Sequence, residues 1–222
     1  MQSPLCDWLV ERFPDWLPPN VITLISFSFN VIPLFIMIAL YGNEMAGPIP
    51  SWCAVMVGVS YFLFTTLDNC DGKQARRTGS SSPLGMLFDH GLDATSSIVV
   101  MYQIGRVHNC GGGFDLLLFI YLSSVSFYYF TLMEYYMGKM VLPMFSGPDD
   151  TSLGISIVCF ITAYLGPAYW AQETSFLEFE HIQRKSLLLY ALACFQLPFA
   201  ACAVISKLCR ISKTNETFAK RY

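Results

Sequence analysis

The sequence predicts an all-α integral membrane protein built on six transmembrane helices. Three observations predict it. Apolar residues make up 54% of the 222 positions and charged residues only 13%, where soluble domains carry roughly a quarter charged residues. Mean hydropathy is +0.47. Uncharged runs recur at lengths close to the roughly 20 residues of helix that cross a bilayer core. Six crossings with short connections use up the length, so no extramembrane domain is expected. A net charge of −3 with no basic cluster in the first half excludes a nucleic-acid surface.

Residues 1–20 are expected to form a cytosolic interfacial lead. They carry Asp7, Glu11 and Asp15 against Arg12, without the basic-then-apolar order of a cleaved signal, so insertion is expected to use the first membrane helix. Five runs span clearly: 21–41, 51–67, 116–133, 152–172 and 186–206. A sixth, 83–105, turns apolar only from Ala94 and opens with Asp89, His90 and Asp93, so hydropathy alone scores it poorly. Pro33, Pro167 and Pro198 fall inside spans, which membrane helices tolerate because neighbours satisfy the freed backbone groups. The six spans make one membrane domain, 21–206, followed by a basic cytosolic tail, 207–222.

Orientation follows from the cations. One face holds Arg12, Lys73, Arg76, Arg77, Lys139, Lys207, Arg210, Lys213, Lys220 and Arg221, and the other only Arg106, Arg184 and Lys185. That bias puts both termini and the connection after the second span in the cytosol. The Asn215-Glu216-Thr217 sequon then lies out of reach of glycosylation. The cysteines at 6, 53, 70, 110, 159, 194, 202 and 209 include no Cys-x-x-Cys pair and mostly fall in apolar runs, so neither a disulfide framework nor a zinc site is indicated.

The chemistry concentrates between the second and third spans, in Asp68-Asn69-Cys70-Asp71-Gly72-Lys73-Gln74-Ala75-Arg76 and Gly85-Met86-Leu87-Phe88-Asp89-His90-Gly91-Leu92-Asp93. Asp68 and Asp71 share a helix face, as do Asp89 and Asp93, if both membrane helices continue through the interface. Two helices joined by a tight connection can aim both pairs at one spot. Unpaired carboxylates at membrane depth are costly, and four converging oxygen donors suit hard divalent cations, Mg²⁺ or Mn²⁺. Two such ions, roughly 3.5–4 Å apart, are a recurrent device for phosphoryl-type displacement. Gly72 and Gly85 permit close backbone approach, and the Arg76 fork matches phosphate oxygens, with Lys73 and Arg77 adding positive field. The bland alternative, solvated charges at helix ends serving as a topology signal, fits an isolated Asp pair better than this larger set.

The stretch Asp68-x2-Asp71-Gly72-x2-Ala75-Arg76-x8-Gly85-x3-Asp89-x3-Asp93 resembles, at every fixed position, the signature of the CDP-alcohol phosphatidyltransferase family. Its flanks, Asp71 to Thr78, Ser82 to Gly85 and Phe88 to Gly91, are similar to the eukaryotic choline/ethanolamine phosphotransferase branch, as are Pro19 to Thr23, Leu142-Pro143 and Gly147-Pro148. The resemblance covers nearly the whole chain. Members of that branch carry further spans after the sixth, and dimer contacts lie in them, so the chain is expected to be a shortened relative in which a homodimer is one assembly to test.

The resemblance implies a membrane enzyme that moves phosphoethanolamine or phosphocholine from CDP-ethanolamine or CDP-choline onto diacylglycerol within membrane lipid, releasing CMP. The expected location is the endoplasmic reticulum or Golgi, with the site toward the cytosol. It implies that Asp68, Asp71 and Asp89 bind two metal ions, with Asp93 a ligand or a base, and that Gly72, Ala75 and Arg76 line the CDP pocket together with Gly85. Removing the diacylglycerol proton needs a base, and His90 and Asp93 are the candidates, although His90 can equally be a polar anchor. Asn20 either donates to nucleotide or phosphate or caps the first helix. Glu134 and Tyr136 either meet the ammonium head group or belong to an interfacial aromatic belt. These features look closer to ethanolamine-type and dual-specificity members than to choline-only ones. The Glu173, Glu178, Glu180 and His181 segment is expected to be a short solvated loop.

Two other classes stand beside this reading. An intramembrane Mg²⁺-dependent prenyltransferase also gathers Asp-rich motifs, but on two separated helix pairs rather than in one cluster with Gly72 and Arg76. A truncated, non-catalytic relative would be expected to have lost motif positions, and none is lost.

Overall fold

The computed structural model describes residues 4–44, 47, 49–137, 148–176, 179–184 and 186. A short helix α1, Pro4–Val10, precedes five long ones: α2, Pro19–Tyr41; α3, Ser51–Arg77; α4, Pro83–Val107; α5, Phe114–Met137; and α6, Pro148–Leu165. A 3-10 turn, Pro167–Ala171, and two antiparallel strands, β1, Glu173–Phe176, and β2, Phe179–Gln183, follow. The protein is thus mostly helical. Helices α2 and α3 are long and apolar enough to cross a membrane. The last apolar run beyond Ser186 and the basic tail lie outside the described residues.

Local chemistry sets the helix ends. Pro19 and Pro83 start α2 and α4, where a missing N–H costs nothing. Ser82 caps α4 by accepting the Gly85 N–H at 3.0 Å. Gly42, at φ 71°, ends α2 and returns its N–H to the Ile38 carbonyl. Pro33 sits buried inside α2 without ending it. The polar opening of α4 does not break it either, and the helix runs unbroken through Asp89, His90 and Asp93.

Pro167 behaves differently from the expectation. The 152–172 run is not one helix, because α6 stops at Leu165, Gly166 takes φ 85°, and Pro167 opens the 3-10 turn. A left-handed glycine followed by a residue without an N–H cannot continue an α-helix. The expected loop over Glu173, Glu180 and His181 is also corrected, since these residues stand on strands paired as Glu173 with Gln183 and Thr174 with Ile182. Thr174, Phe176, Phe179 and Ile182 are β-forming types that outweigh the interspersed charges. Glu178 lies outside the described residues.

Helix α3 packs against α2 on one side and α6 on another, and α2 also packs on α4. The α3–α6 crossing is close: a Cβ on Gly58 would come 3.0 Å from Cys159 Cβ. Small residues at helix crossings allow such approach in membrane bundles. One buried cluster unites Met37, Ile49, Cys53, Ala54, Val57, Val107 and Cys159, and another Val100, Met101, Ile104 and Cys110. Polar ties stitch α2 to α4: Asn30 Nδ2 donates to Ser96 O at 3.1 Å and Gln103 Nε2 to Asn30 O at 2.6 Å. Outward faces are apolar, with Ile32, Phe35 and Leu40 on α2 and Leu117 and Tyr121 on α5 exposed. Cys6, Cys53, Cys70, Cys110 and Cys159 are free thiols, all buried.

The far end of α4 holds a second polar knot. His108, buried just past the helix, has Nδ1 2.8 Å from Ile104 O and Nε2 3.1 Å from Thr162 Oγ1, which also accepts the Trp170 N–H at 2.9 Å. A carbonyl can only accept, so Nδ1 carries the imidazole proton and Nε2 is left as an acceptor facing the Thr162 hydroxyl, which also donates to Val158 O at 2.8 Å. Burial pulls the His108 pKa down to about 4.

Candidate functional site

The acidic segments lie where α3 ends and α4 begins. Because α3 continues as helix to Arg77, the three-residue spacing of Asp68 and Asp71 puts both on one face, and α4 does the same for Asp89 and Asp93. Oxygen atoms of Asp68, Asp71 and Asp89 all lie within 4.8 Å of one another. Asp71 is buried, while Asp68 and Asp89 are partly exposed. Asp93 joins them as a side-chain hydrogen-bond partner of Asp68. His90 is half-buried on the flank of the face carrying Asp89 and Asp93.

Helix α2 closes one side. Thr23 Oγ1 donates to Asp71 Oδ2 at 2.5 Å, a contact that sequence reasoning did not single out. Asn20, exposed one turn earlier, places its Oδ1 3.3 Å from where a Cβ on Gly85 would stand, and Ser82 Oγ lies 3.2 Å from the same point. A side chain at 85 would press on both oxygens, so glycine lets Asn20 of α2 lie close over the start of α4. Arg76 is exposed, with Nη1 3.5 Å from the position of a Cβ on Gly72, and Ala75 is half-buried.

The other cations of this segment point elsewhere. Lys73 Nζ pairs with Asp7 Oδ1 at 2.7 Å, and Arg77 Nη2 with Asp15 Oδ1 at 2.7 Å. Arg77 Nη1 also donates to the carbonyls of Val10 and Phe13. Gln74, fully buried, donates to Pro14 O at 3.1 Å and Leu17 O at 3.3 Å. Cys6, Val10, Ile22 and Cys70 fill the space between. Lys73 and Arg77 thus brace the lead against α3. Asp68, Asp71 and Asp89 together are a set of oxygen donors that fits hard divalent cations.

The residues expected to meet the head group, Glu134 and Tyr136, stand in the last turn of α5, and their side chains lie outside the described residues, as do Leu142 and Pro143.

Residues 16–204 match the family model for CDP-alcohol phosphatidyltransferase. The chain belongs to the CDP-alcohol phosphatidyltransferase family. Among relatives in that family, choline/ethanolaminephosphotransferase 1 of Arabidopsis thaliana is 38% identical over 171 residues, 77% of this chain and 43% of that protein. Ethanolaminephosphotransferase 1 of Homo sapiens is 37% identical over 186 residues, 79% of this chain and 46% of that protein. Choline/ethanolaminephosphotransferase 1 of Saccharomyces cerevisiae is 37% identical over 147 residues, 66% of this chain and 37% of that protein. The chain therefore spans less than half the length of each of these CDP-alcohol phosphatidyltransferase relatives.

Proposed function

We propose that this protein transfers phosphoethanolamine or phosphocholine from its CDP ester to diacylglycerol, forming a phospholipid and CMP. The observation that carries the reading is the convergence of Asp68, Asp71 and Asp89 from two helices within 4.8 Å. The names of its relatives, which it matches over most of its own length, supply the substrate class.

In this reading Asp68, Asp71 and Asp89, with Asp93 as a fourth ligand or as a base, hold two Mg²⁺ or Mn²⁺ ions. When bound, such ions neutralise charge on the pyrophosphate and orient it. Gly72, Ala75, Gly85 and Asn20 line the nucleotide, and the exposed Arg76 guanidinium takes phosphate oxygens in its fork. His90 or Asp93 removes the diacylglycerol proton. The freed oxygen bonds to the phosphorus bearing the amino alcohol, while the bond from that phosphorus to the CMP oxygen breaks. Glu134 and Tyr136 are the residues this reading assigns to the ammonium group of the CDP ester.

The protein works embedded in the endoplasmic reticulum or Golgi membrane through six spans, with the carboxylates at the cytosolic edge, between an interfacial lead over 1–20 and a basic tail over 207–222. The apolar exterior of α2 and α5 supports embedding. The test is membrane-embedded protein given labelled CDP-ethanolamine or CDP-choline, diacylglycerol and Mg²⁺ or Mn²⁺, with Asp89→Asn as control. Lipid product from the unaltered protein alone supports the proposal; no product from either substrate contradicts it.

A further inference from the structure

The hydroxyl of Thr23 and the carboxylate of Asp71 are both withdrawn from solvent, at 3% and 5% exposure, so neither can exchange its partner for bulk water. Thr23 Oγ1 lies 2.5 Å from Asp71 Oδ2 and 3.2 Å from Pro19 O, both of which only accept when Asp71 is ionised. One hydroxyl hydrogen serves one acceptor well. The shorter contact to the charged oxygen is the stronger, so the hydrogen lies on the Asp71 side. Threonine in a helix has few rotamers, and Ser26, fully buried, donates to Thr23 O at 2.7 Å and ties down the same turn. The hydroxyl is therefore a fixed donor rather than a free rotor.

We propose that Thr23 is a positioning residue for the acidic centre: by holding Asp71 Oδ2, its hydroxyl sets the orientation in which the Asp71 carboxylate meets Asp68 and Asp89. This rests on the metal-binding reading above. A donor that fixes the angle of a ligating carboxylate raises the affinity of the site without touching the ion, and losing such a partner costs 10–100-fold in metal affinity in other proteins.

The experiment measures Mn²⁺ affinity directly, from the paramagnetic resonance signal of free Mn²⁺, on the full chain in lipid nanodiscs. No nucleotide is present, so turnover does not enter. Thr23→Val keeps the shape and removes the donor; Thr23→Ser keeps the donor. The expected result is an affinity about tenfold weaker in Thr23→Val and within about threefold of the original in Thr23→Ser. Thr23→Ala replaces Thr23→Val should the valine variant not elute as a folded species, with the same loss expected. Unchanged affinity in the donor-less variant overturns the proposal, as does an equal loss in Thr23→Ser, which would assign Thr23 to packing. Asp71→Asn separates the two levels. If it loses Mn²⁺ while Thr23→Val does not, only the role of Thr23 falls; if Asp71→Asn also binds normally, the metal reading falls with it.

Discussion

Lys73 on α3 is ion-paired with Asp7 on α1 at 2.7 Å, so the helix that carries two site carboxylates is fastened to the N-terminal lead. Thr66, Cys70, Lys73, Gln74 and Arg77 make one stripe of α3 that meets residues 6–17, leaving Asp68 and Asp71 on the other side.

The strongest part of this brace is the buried amide, not the charge pair. Gln74→Ala is expected to remove two buried hydrogen bonds and lower stability by about 2 kcal/mol. Asp7→Ala, at a pair half open to water on the aspartate side, is expected to cost less than about 1 kcal/mol. Thermal unfolding in one detergent checks the order, and a larger loss in Asp7→Ala contradicts it.

Asp71→Asn and Asp89→Asn preserve shape and remove charge from the centre. Each is expected to lower turnover by more than about a hundredfold, beyond what loss of a supporting partner costs, with the unfolding midpoint unchanged or raised because like charges are relieved. Near-normal turnover in either variant contradicts ligation by that residue.

In the proposed function either His90 or Asp93 removes the diacylglycerol proton, and Asp93 is also a candidate ligand. His90→Ala and Asp93→Asn are each expected to abolish product formation, and Asp93→Asn also to raise the metal concentration required for half-maximal activity. Full activity in His90→Ala removes His90 from the mechanism.

His108 gives a pH signature remote from the site, about 28 Å along α4 from Asp89 by helix rise. Its folded pKa of about 4 is depressed from 6.5 by burial. The unfolded chain therefore binds the extra proton first, and stability falls as pH drops from about 6.5 toward 4, by about 3 kcal/mol in all. Unfolding midpoints across this range are expected to slope less in His108→Gln. Equal slopes contradict a buried neutral imidazole.

What could be read in advance was what depends on one helix at a time. The three- and four-residue spacings of Asp68 with Asp71 and Asp89 with Asp93 are properties of single helices, and the structure brings three of those residues together. A span over 83–105 was expected despite its poor hydropathy, and α4 runs from Pro83 to Val107. Properties that depend on which face meets which neighbour were not legible. Lys73, Arg76 and Arg77 look alike in sequence, yet rotation around α3 sends the first and last to the lead. Thr23 sits three residues after Asn20 and shares its face, a signal that was present but pointed to no partner until α3 was in place. The break at Pro167 was visible as Gly166-Pro167, but the tolerance of membrane helices for proline, correct for Pro33, masked it.

In the proposed function the carboxylates cage divalent ions, and these hold the nucleotide's pyrophosphate. Calorimetric titration of the nanodisc-embedded chain with CDP-ethanolamine and with CDP-choline, in Mn²⁺ and again after chelation with excess EDTA, tests it most directly. Saturable binding of at least one of the two is expected in Mn²⁺, with its loss on chelation. Binding of equal affinity with and without the ion would contradict it.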